Sequence, residues 1–192
     1  MDKLKQRILT DAKVLPGDII KVGGFLNHMV DIGLMHDIGR EFASVFGASK
    51  PTKILTIEAA GIPIAAMTAL ELDIPFVIAK KYDSIEYVNP GEDYSAPVKS
   101  HTKKTEHIIR VSKSFFSSDD HVLILDDFLA FGDAALSLVD LVRQTGATLV
   151  GVGICIEKSF QRGASELAKH GVTPHSLVRV QSLADGKIEF VE

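Results

Sequence analysis

The fold is decided by the stretch HVLILDDFLAFGDAALSL, residues 121–138. Its apolar run VLIL, residues 122–125, predicts a strand that is covered on both faces, as in a parallel sheet. Asp126 and Asp127 end this run, and beyond Gly132 the apolar residues recur with a helical period. The stretch therefore predicts a strand, an acidic pair, a glycine turn and a helix, in that order.

This order of features predicts an anion site at one edge of a sheet. In an open α/β sheet, ligands bind outside the carboxyl ends of the strands. Free N–H groups at a helix N-terminus favour a phosphate there, and carboxylates beside it suit ribose hydroxyls or a divalent cation. We therefore expect a sugar phosphate to bind. The structural alternative is that the two acids serve only as an N-cap and a first-turn charge.

Three further segments accompany this stretch: FLNHMVD (residues 25–31), IEAAGI (residues 57–62) and IEKSFQRG (residues 156–163). The apolar strand that meets two acids and a small-residue turn resembles the PRPP-binding loop of the type I phosphoribosyltransferases. All four segments together resemble the xanthine-using members of that family, and the resemblance extends from residue 4 to residue 191. It implies the α/β fold of type I phosphoribosyltransferases, a mostly parallel sheet with helices on both faces and a small hood.

The resemblance also implies an activity in purine salvage. The enzyme would transfer the 5-phosphoribosyl group of PRPP to xanthine, giving XMP and diphosphate through an oxocarbenium-like transition state. Such a reaction depends on positioning and charge stabilisation, so it needs no nucleophile. Two alternatives stay open: a hypoxanthine/guanine phosphoribosyltransferase, and a non-enzymatic regulator that responds to PRPP or purines. A regulator of this fold normally has an added DNA-binding domain, for which residues 1–30 are too few.

Two turns are expected to bind PRPP. The resemblance implies that the first, here called the Gly132 turn, holds the 5′-phosphate; it consists of Ala130, Phe131, Gly132, Asp133 and Ala134. This turn has no hydroxyl, so its contacts would be backbone N–H groups, and Asp133 would repel a phosphate unless its side chain turned away. The resemblance implies that the second, the Gly61 turn (residues 58–61), is a pyrophosphate loop with a strained peptide. Its small residues let backbone approach a ligand; they are Ala59, Ala60 and Gly61. The alternative is a tight strand-to-helix turn.

The acidic pair, Asp126 and Asp127, is our candidate for the catalytic residues that bind the ribose hydroxyls. Neighbouring strand residues face opposite ways, so both reach the sugar only if the strand has begun to turn. Lys80 and Lys81 follow a second core strand and suit pyrophosphate, although two adjacent lysines can also be a solvated basic pair. Mg²⁺ is the expected cofactor, bound through PRPP oxygens and water without a direct protein ligand.

Xanthine recognition is expected at two places. Lys158 can donate to a purine 6-oxo group, whereas an adenine amino group would leave that donor unmatched. Phe160 is predicted to stack on the base, with a core position as its alternative. From the resemblance, Asn27 in the N-terminal hood would bind the second oxo group and Ile20 would give apolar contact. Local backbone capping is the alternative for Asn27.

Composition and length predict a single domain of 192 residues. Within it, the hood would comprise residues 1–30 with C-terminal segments, and residues 82–107 would form a flexible loop. A net charge of −4 argues against a nucleic-acid partner, and no run approaches the about 18 apolar residues that span a membrane. Cys155 is the one cysteine, so no internal disulfide can form, which favours a cytoplasmic protein; it is predicted to be buried and non-catalytic. A homodimer is implied by the resemblance, in which a basic residue at the position of Lys81 reaches the neighbouring subunit's site.

The remaining pattern alternates strands and helices. Residues 25–29 look extended, and Asp31 is expected to cap a helix through Phe46, with Val45 on its apolar stripe. Residues 82–88 and 108–111 are expected to pair antiparallel around a polar loop, residues 89–97. The last helix would begin at Ser159 or Ser165 and end near residue 171.

Overall fold

The computed structural model describes residues 1–84, 88–100 and 105–191. Its α-helices are α1 (Asp2–Asp11), α2 (Ile32–Phe46), α3 (Gly61–Leu72), α4 (Asp133–Thr145) and α5 (Gly163–Lys169). Its strands are β1 (Lys13–Leu15), β2 (Ile19–Lys21), β3 (Lys53–Ile57), β4 (Phe76–Tyr82), β5 (Asp93–Ser100), β6 (Thr105–Ser112), β7 (His121–Leu129), β8 (Thr148–Lys158), β9 (His175–Ser182) and β10 (Glu189–Phe190).

One sheet organises the molecule. In the part of the chain that the structure describes, its eight strands follow the order β10-β9-β8-β7-β3-β4-β6-β5. The central strands β4, β3, β7, β8 and β9 are parallel, and antiparallel strands add to both sides. The strand order reverses between β3 and β7, which is where open α/β sheets bind their ligands. The predicted α/β class is confirmed.

Two apolar cores cover the two faces of this sheet. Leu123 and Leu125 of β7 pack into the core formed with α2, α3 and the N-terminal segment. Val122 and Ile124 pack into the opposite core, formed with α4. All four side chains are fully buried, and burying a side chain of this size stabilises a fold by roughly 1.5–3 kcal/mol. The unbroken apolar run therefore reflects a strand that contributes to two cores at once.

The helix α2 begins and ends as predicted. Asp31 caps it, its side chain accepting a hydrogen bond from the backbone N–H of Leu34 at 3.0 Å. The predicted apolar stripe needs one correction, because Val45 is exposed and Phe46 is buried in its place. The helix therefore turns Phe46, its last residue, toward the core.

The hood segment differs from its predicted extended form. Gly23–Asn27 is a π-helical turn, in which His28 and Met29 donate backbone hydrogen bonds to the carbonyl of Gly23 at 3.3 and 2.8 Å. Phe25 and Leu26 are both fully buried. A strand would send these neighbours to opposite sides, whereas a turn lets both enter one core. Before this turn, β1 and β2 form a separate antiparallel hairpin.

The segment between β4 and β7 needs a second correction. Tyr82 pairs antiparallel with Ile108, as predicted. Residues 93–97, however, belong to β5, which pairs with β6 along its whole length, and do not form a loop. Ala96 and Val98 are buried, so the burial pattern alternates as in a strand. Pro97 lies between them, and a proline in the sequence argues against a strand. Residues 85–87 and 101–104 of the predicted flexible loop lie outside the described residues.

The C-terminal elements complete the fold. The last helix begins at Gly163, because Ser159 donates its side-chain hydrogen bond to Glu157 at 2.9 Å instead of capping a helix. Cys155 is fully buried in β8, as predicted. No helix in the described ranges is long and apolar enough to cross a bilayer.

Candidate active site

A cleft of about 780 Å³ lies at the carboxyl ends of β3, β7 and β8. The β3–β7 pairing ends at Leu55 and Ile124, although β7 continues to Leu129. The two strands therefore separate before their functional ends, and the edge of β7 faces open space. The predicted residues that line the cleft are Ala59, Ala60, Lys81, Asp126, Asp127, Ala130, Phe131, Gly132, Asp133, Ala134 and Lys158.

The acidic pair lies within β7 and does not terminate the strand. Asp126 is 4% exposed and Asp127 is half-buried, and both line the cleft. The Asp126 Oδ1 atom accepts a hydrogen bond from the backbone N–H of Asp127 at 2.9 Å. Both residues line the cleft although β7 continues to Leu129, and they lie beyond the last residue of β7 that pairs with β3.

Burial controls the charge of this pair. It raises the pKa of Asp126 well above its ordinary value, and the negative charge of Asp127 raises that pKa further. Burial also raises the pKa of Asp127. Two carboxylates held close together in a buried place favour a ligand that brings hydroxyl donors or a cation. The pair is thus suited to a sugar with a bound metal ion.

The Gly132 turn is shaped by contact with the start of α5. Gly132 has a φ of +95°, and a Cβ on it would lie 3.2 Å from the backbone of Gly163. Gly163 in turn donates a backbone hydrogen bond to the carbonyl of Ala130 at 2.9 Å. Within the described chain no side chain caps the N-terminus of α4, and a helix N-terminus is a favourable place for an anion.

The Gly61 turn approaches the acidic pair closely. The peptide bond between Glu58 and Ala59 is cis. A Cβ on Gly61 would lie 2.2 Å from Thr56 Oγ1 and 3.3 Å from Asp126 Oδ1. Gly61 does not itself line the cleft; its missing side chain lets the helix α3 begin against β7.

The two lysines of β4 separate in space. Lys81 lines the cleft, and its backbone N–H donates to Glu58 Oε1 at 2.5 Å. Lys80 lies outside the cleft lining, with its Nζ 3.4 Å from Glu58 Oε2. Adjacent strand residues face opposite ways, so only Lys81 presents its charge directly to the cleft, while Lys80 offsets the charge of Glu58.

Lys158 lies at the end of β8, at the side of the cleft nearest the hood. Its Nζ donates to the backbone carbonyl of Asp18 at 2.7 Å and lies 5.9 Å from the ring centroid of Phe128. Burial lowers the pKa of Lys158. Phe128 lines the cleft, whereas Phe160 is 39% exposed and lies outside the lining. Sequence reasoning missed Phe128, although it directly follows the acidic pair.

The two hood candidates also lie outside the lining. Ile20 is buried in the core, and its neighbour Ile19 faces the cleft instead. Asn27 is exposed at the end of the π-helical turn. Lys99 of β5 lines the cleft, but no sequence motif marks it, because the sequence of this region predicts a flexible loop.

Comparison with known proteins identifies the family. Residues 31–178 match the model of the phosphoribosyl transferase domain. The chain is 50% identical to a xanthine phosphoribosyltransferase of Acinetobacter baumannii over 100% of both chains. It is 48% identical to one of Oceanobacillus iheyensis, over 100% of this chain and 98% of the other.

Solved structures agree on the fold. An adenine phosphoribosyltransferase of Rhodothermus marinus superposes with a TM-score of 0.74 at 24% identity, covering 93% of this chain and 97% of its own. The enzyme of Trypanosoma brucei superposes with a TM-score of 0.75 at 24% identity, covering 92% and 79%. The chain therefore has the type I fold and belongs to the phosphoribosyltransferase family.

Proposed function

We propose that this protein transfers the 5-phosphoribosyl group of PRPP to xanthine, releasing XMP and diphosphate. The observation that carries the proposal is one cleft that holds the acidic pair, the Gly132 turn and Lys158 together. The 50% identity to a xanthine phosphoribosyltransferase supports the choice of base.

The Gly132 turn is assigned to the 5′-phosphate. Backbone N–H groups at the start of α4, in residues 130–134, point an anion-binding surface at the cleft. Asp126 and Asp127 accept hydrogen bonds from the ribose hydroxyls. Their negative charge also stabilises the positive charge that develops at the anomeric carbon.

The pyrophosphate is assigned to the Gly61 turn and the lysines of β4. Ala59 and Ala60 offer backbone without bulky side chains, Gly61 brings α3 close, and Lys81 supplies positive charge. Lys80 has an indirect role, because its Nζ lies 3.4 Å from Glu58 Oε2 and reduces the negative charge beside the leaving group.

Xanthine binds at the hood side of the cleft. Lys158 donates to the 6-oxo group, which requires its ammonium to exchange the Asp18 carbonyl for the base. Phe128 is placed to contact the ring face, and Phe160 lies too far outside the lining for that role unless the chain moves. Asn27 and Ile20 remain assigned to the second oxo group and to apolar contact, which requires the hood to close over the base.

Mg²⁺ accompanies PRPP in phosphoribosyltransferases generally. No three His, Cys, Asp or Glu side chains gather into a metal site within residues 1–84, 88–100 and 105–191. The oxygen atoms of Asp126 and Asp127 would suit this cation through water, with oxygens of PRPP as its direct ligands. When bound, the ion neutralises charge on the leaving diphosphate.

The reaction exchanges one bond for another at the anomeric carbon. A ring nitrogen of xanthine forms the new C–N bond with its electron pair, and the C–O bond to diphosphate breaks with its electrons leaving on oxygen. The nitrogen then loses its proton to solvent. The chain's residues hold the two reactants in line and exclude water.

The assembly is proposed to be a cytoplasmic homodimer of single-domain subunits. A second pocket of about 560 Å³, with Lys80, Phe76 and Val77 in its wall, lies beside β4 and offers an apolar contact surface. Sedimentation equilibrium measures the assembly. A monomer at working concentration would contradict this part of the proposal.

The decisive experiment is a substrate panel. Diphosphate release is measured with PRPP, Mg²⁺ and each of xanthine, guanine, hypoxanthine and adenine. We expect kcat/KM for xanthine to be highest and adenine to be inactive. A higher value for guanine or hypoxanthine would support the alternative salvage enzyme. PRPP binding by calorimetry without turnover on any base would support a regulator.

A further inference from the structure

Gln161 belongs to the IEKSFQRG segment, residues 156–163, but the proposed function gives it no role. The residue lines the cleft together with Lys158. Its side-chain oxygen Oε1 is buried and accepts no hydrogen bond from any residue that the structure describes. Most buried acceptors in folded proteins are paired, because an unpaired one destabilises the fold. This oxygen therefore suits a donor that a ligand brings into the cleft.

The backbone places Gln161 on the same turn as Lys158. The N–H of Gln161 donates to the carbonyl of Lys158 at 2.9 Å, which closes the turn. The N–H of Ser159 donates to a carbonyl of β9 at 2.8 Å, and the other end of the segment is held at the Gly132 turn by Gly163. A donor, Lys158, and an acceptor, Gln161, thus line the cleft from one short turn that is anchored at both ends.

The substrates of the proposed reaction limit which donor can pair with this oxygen. The phosphate groups of PRPP offer acceptors, and its ribose hydroxyls are assigned to the acidic pair. Xanthine offers ring N–H groups, and its N1–H is the neighbour of the 6-oxo group that is assigned to Lys158. A donor beside an acceptor on the protein matches an acceptor beside a donor on the base.

We propose that Gln161 is a base-binding residue whose Oε1 accepts a hydrogen bond from N1–H of xanthine, while Lys158 donates to the adjacent 6-oxo group. This inference rests on the proposed function and deepens it by naming a second residue that selects the base. Adenine has a 6-amino donor and a bare N1 acceptor, so it leaves both protein groups unmatched. Guanine and hypoxanthine share the N1–H and 6-oxo edge of xanthine. Gln161 therefore selects 6-oxopurines as a class.

The test removes the acceptor from the protein and the donor from the base. Gln161→Met keeps nearly the same shape without polar atoms, and Gln161→Glu keeps an acceptor. Gln6→Met, at an exposed position of α1, is the matched control. We measure kcat and KM for PRPP, for the three 6-oxopurines and for 1-methylxanthine, which lacks N1–H. Circular dichroism with thermal melting checks that each variant folds.

We expect Gln161→Met to lower kcat/KM for xanthine by about tenfold, the size of one lost hydrogen bond, and to change KM for PRPP by less than about twofold. Guanine and hypoxanthine should lose the same factor. The preference for xanthine over 1-methylxanthine should shrink by about tenfold in this variant, because the added methyl group is equally bulky in both proteins. Gln161→Glu should retain most of the activity, and Gln6→Met all of it.

Four results would overturn the inference. The first is an unchanged kcat/KM for xanthine in a folded Gln161→Met protein. The second is a rise in KM for PRPP as large as the rise for xanthine. The third is a preference over 1-methylxanthine that stays the same in the variant. The fourth needs no variant: it is a wild type that uses 1-methylxanthine as well as xanthine.

The proposed function and the role of Gln161 fail in different ways. A wild type that turns over no 6-oxopurine overturns the proposed function, and the role of Gln161 with it. A wild type that converts xanthine, with a Gln161→Met variant that converts it equally well, overturns the role of Gln161 alone.

Discussion

The Gly61 turn and the Gly132 turn have the same local arrangement, but different neighbouring elements hold them in place. Each follows a parallel strand, precedes or opens a helix and contains one acid and one glycine. The acid of the Gly61 turn, Glu58, is engaged by Lys81 N at 2.5 Å and lies 3.4 Å from Lys80 Nζ. The acid of the Gly132 turn, Asp133, is the first residue of α4 and lines the cleft. The Gly61 turn is therefore held by the neighbouring strand β4, whereas the Gly132 turn is held by α5, since the backbone N–H of Gly163 donates to the carbonyl of Ala130.

The two glycines are required for different physical reasons. Gly61 is needed because a side chain would collide with Thr56 and press on Asp126. Gly132 is needed mainly because its φ of +95° lies in a region that side chains disfavour. Close packing therefore requires a glycine at residue 61, whereas a positive φ and the contact with Gly163 together require one at residue 132.

The largest effect is expected between the two turns, at the acidic pair. Asp127→Asn should lower kcat by about 100-fold or more, because it removes negative charge opposite the developing cation. Thermal melting should show an intact fold. Asp140→Asn, on the exposed face of α4, is the matched control and should leave kcat unchanged. Wild-type turnover by Asp127→Asn would remove that residue from the site.

The next effect separates the two turns. Gly61→Ala should mainly weaken pyrophosphate binding, and Gly132→Ala should mainly weaken ribose 5-phosphate binding. Each should also lower the free energy of unfolding by about 1–3 kcal/mol, from collision in the first case and from backbone strain in the second. Calorimetry and denaturant unfolding measure these changes. If both variants lost both ligands equally, the division of the cleft into two subsites would be wrong.

The acidic pair should differ from both turns in how the free energy of unfolding depends on pH. The raised pKa of Asp126 means that the folded protein keeps a proton that the unfolded chain releases, so stability falls as pH rises above the ordinary value near 3.8. In Asp126→Asn this position cannot ionise, so the variant does not lose stability as the pH rises in this way. Its unfolding free energy should exceed that of the wild type near pH 8, and the gain should shrink toward pH 4.

That experiment uses denaturant unfolding at several pH values, with turnover measured in parallel. Asp126→Asn should be more stable at neutral pH and less active, because the same buried charge that costs stability is needed for the sugar. A gain that did not change with pH would contradict burial of an ionisable group as its cause.

The smallest expected effect is the change in ligand affinity when the acid of each turn, Asp133 or Glu58, is made neutral. Asp133→Asn should strengthen ribose 5-phosphate binding by about two- to fivefold, because a negative charge beside the phosphate is removed. Glu58→Gln should give no gain in pyrophosphate binding, because Glu58 Oε1 accepts a hydrogen bond from the backbone N–H of Lys81 and so fixes the position of that strand end. Equal gains in both variants would show that the two turns do not differ in the way described.

Local sequence was enough to predict those elements that depend only on residues close together in the chain. The apolar run of β7, the cap at Asp31 and the glycine turns all follow local rules of burial, capping and backbone conformation. The same short segments were enough to recognise the family and its fold. Each turn of the site follows directly after a strand, so its residues are neighbours in the sequence.

Only the tertiary structure decided which side chains meet. It showed that residues 93–97 form a strand, that Phe128 rather than Phe160 faces the cleft, and that Lys81 and Lys80 point different ways. It also brought Lys99 into the cleft wall. Each of these depends on register between segments distant in sequence. Burial and strand pairing set that register, and no short run of residues encodes it alone.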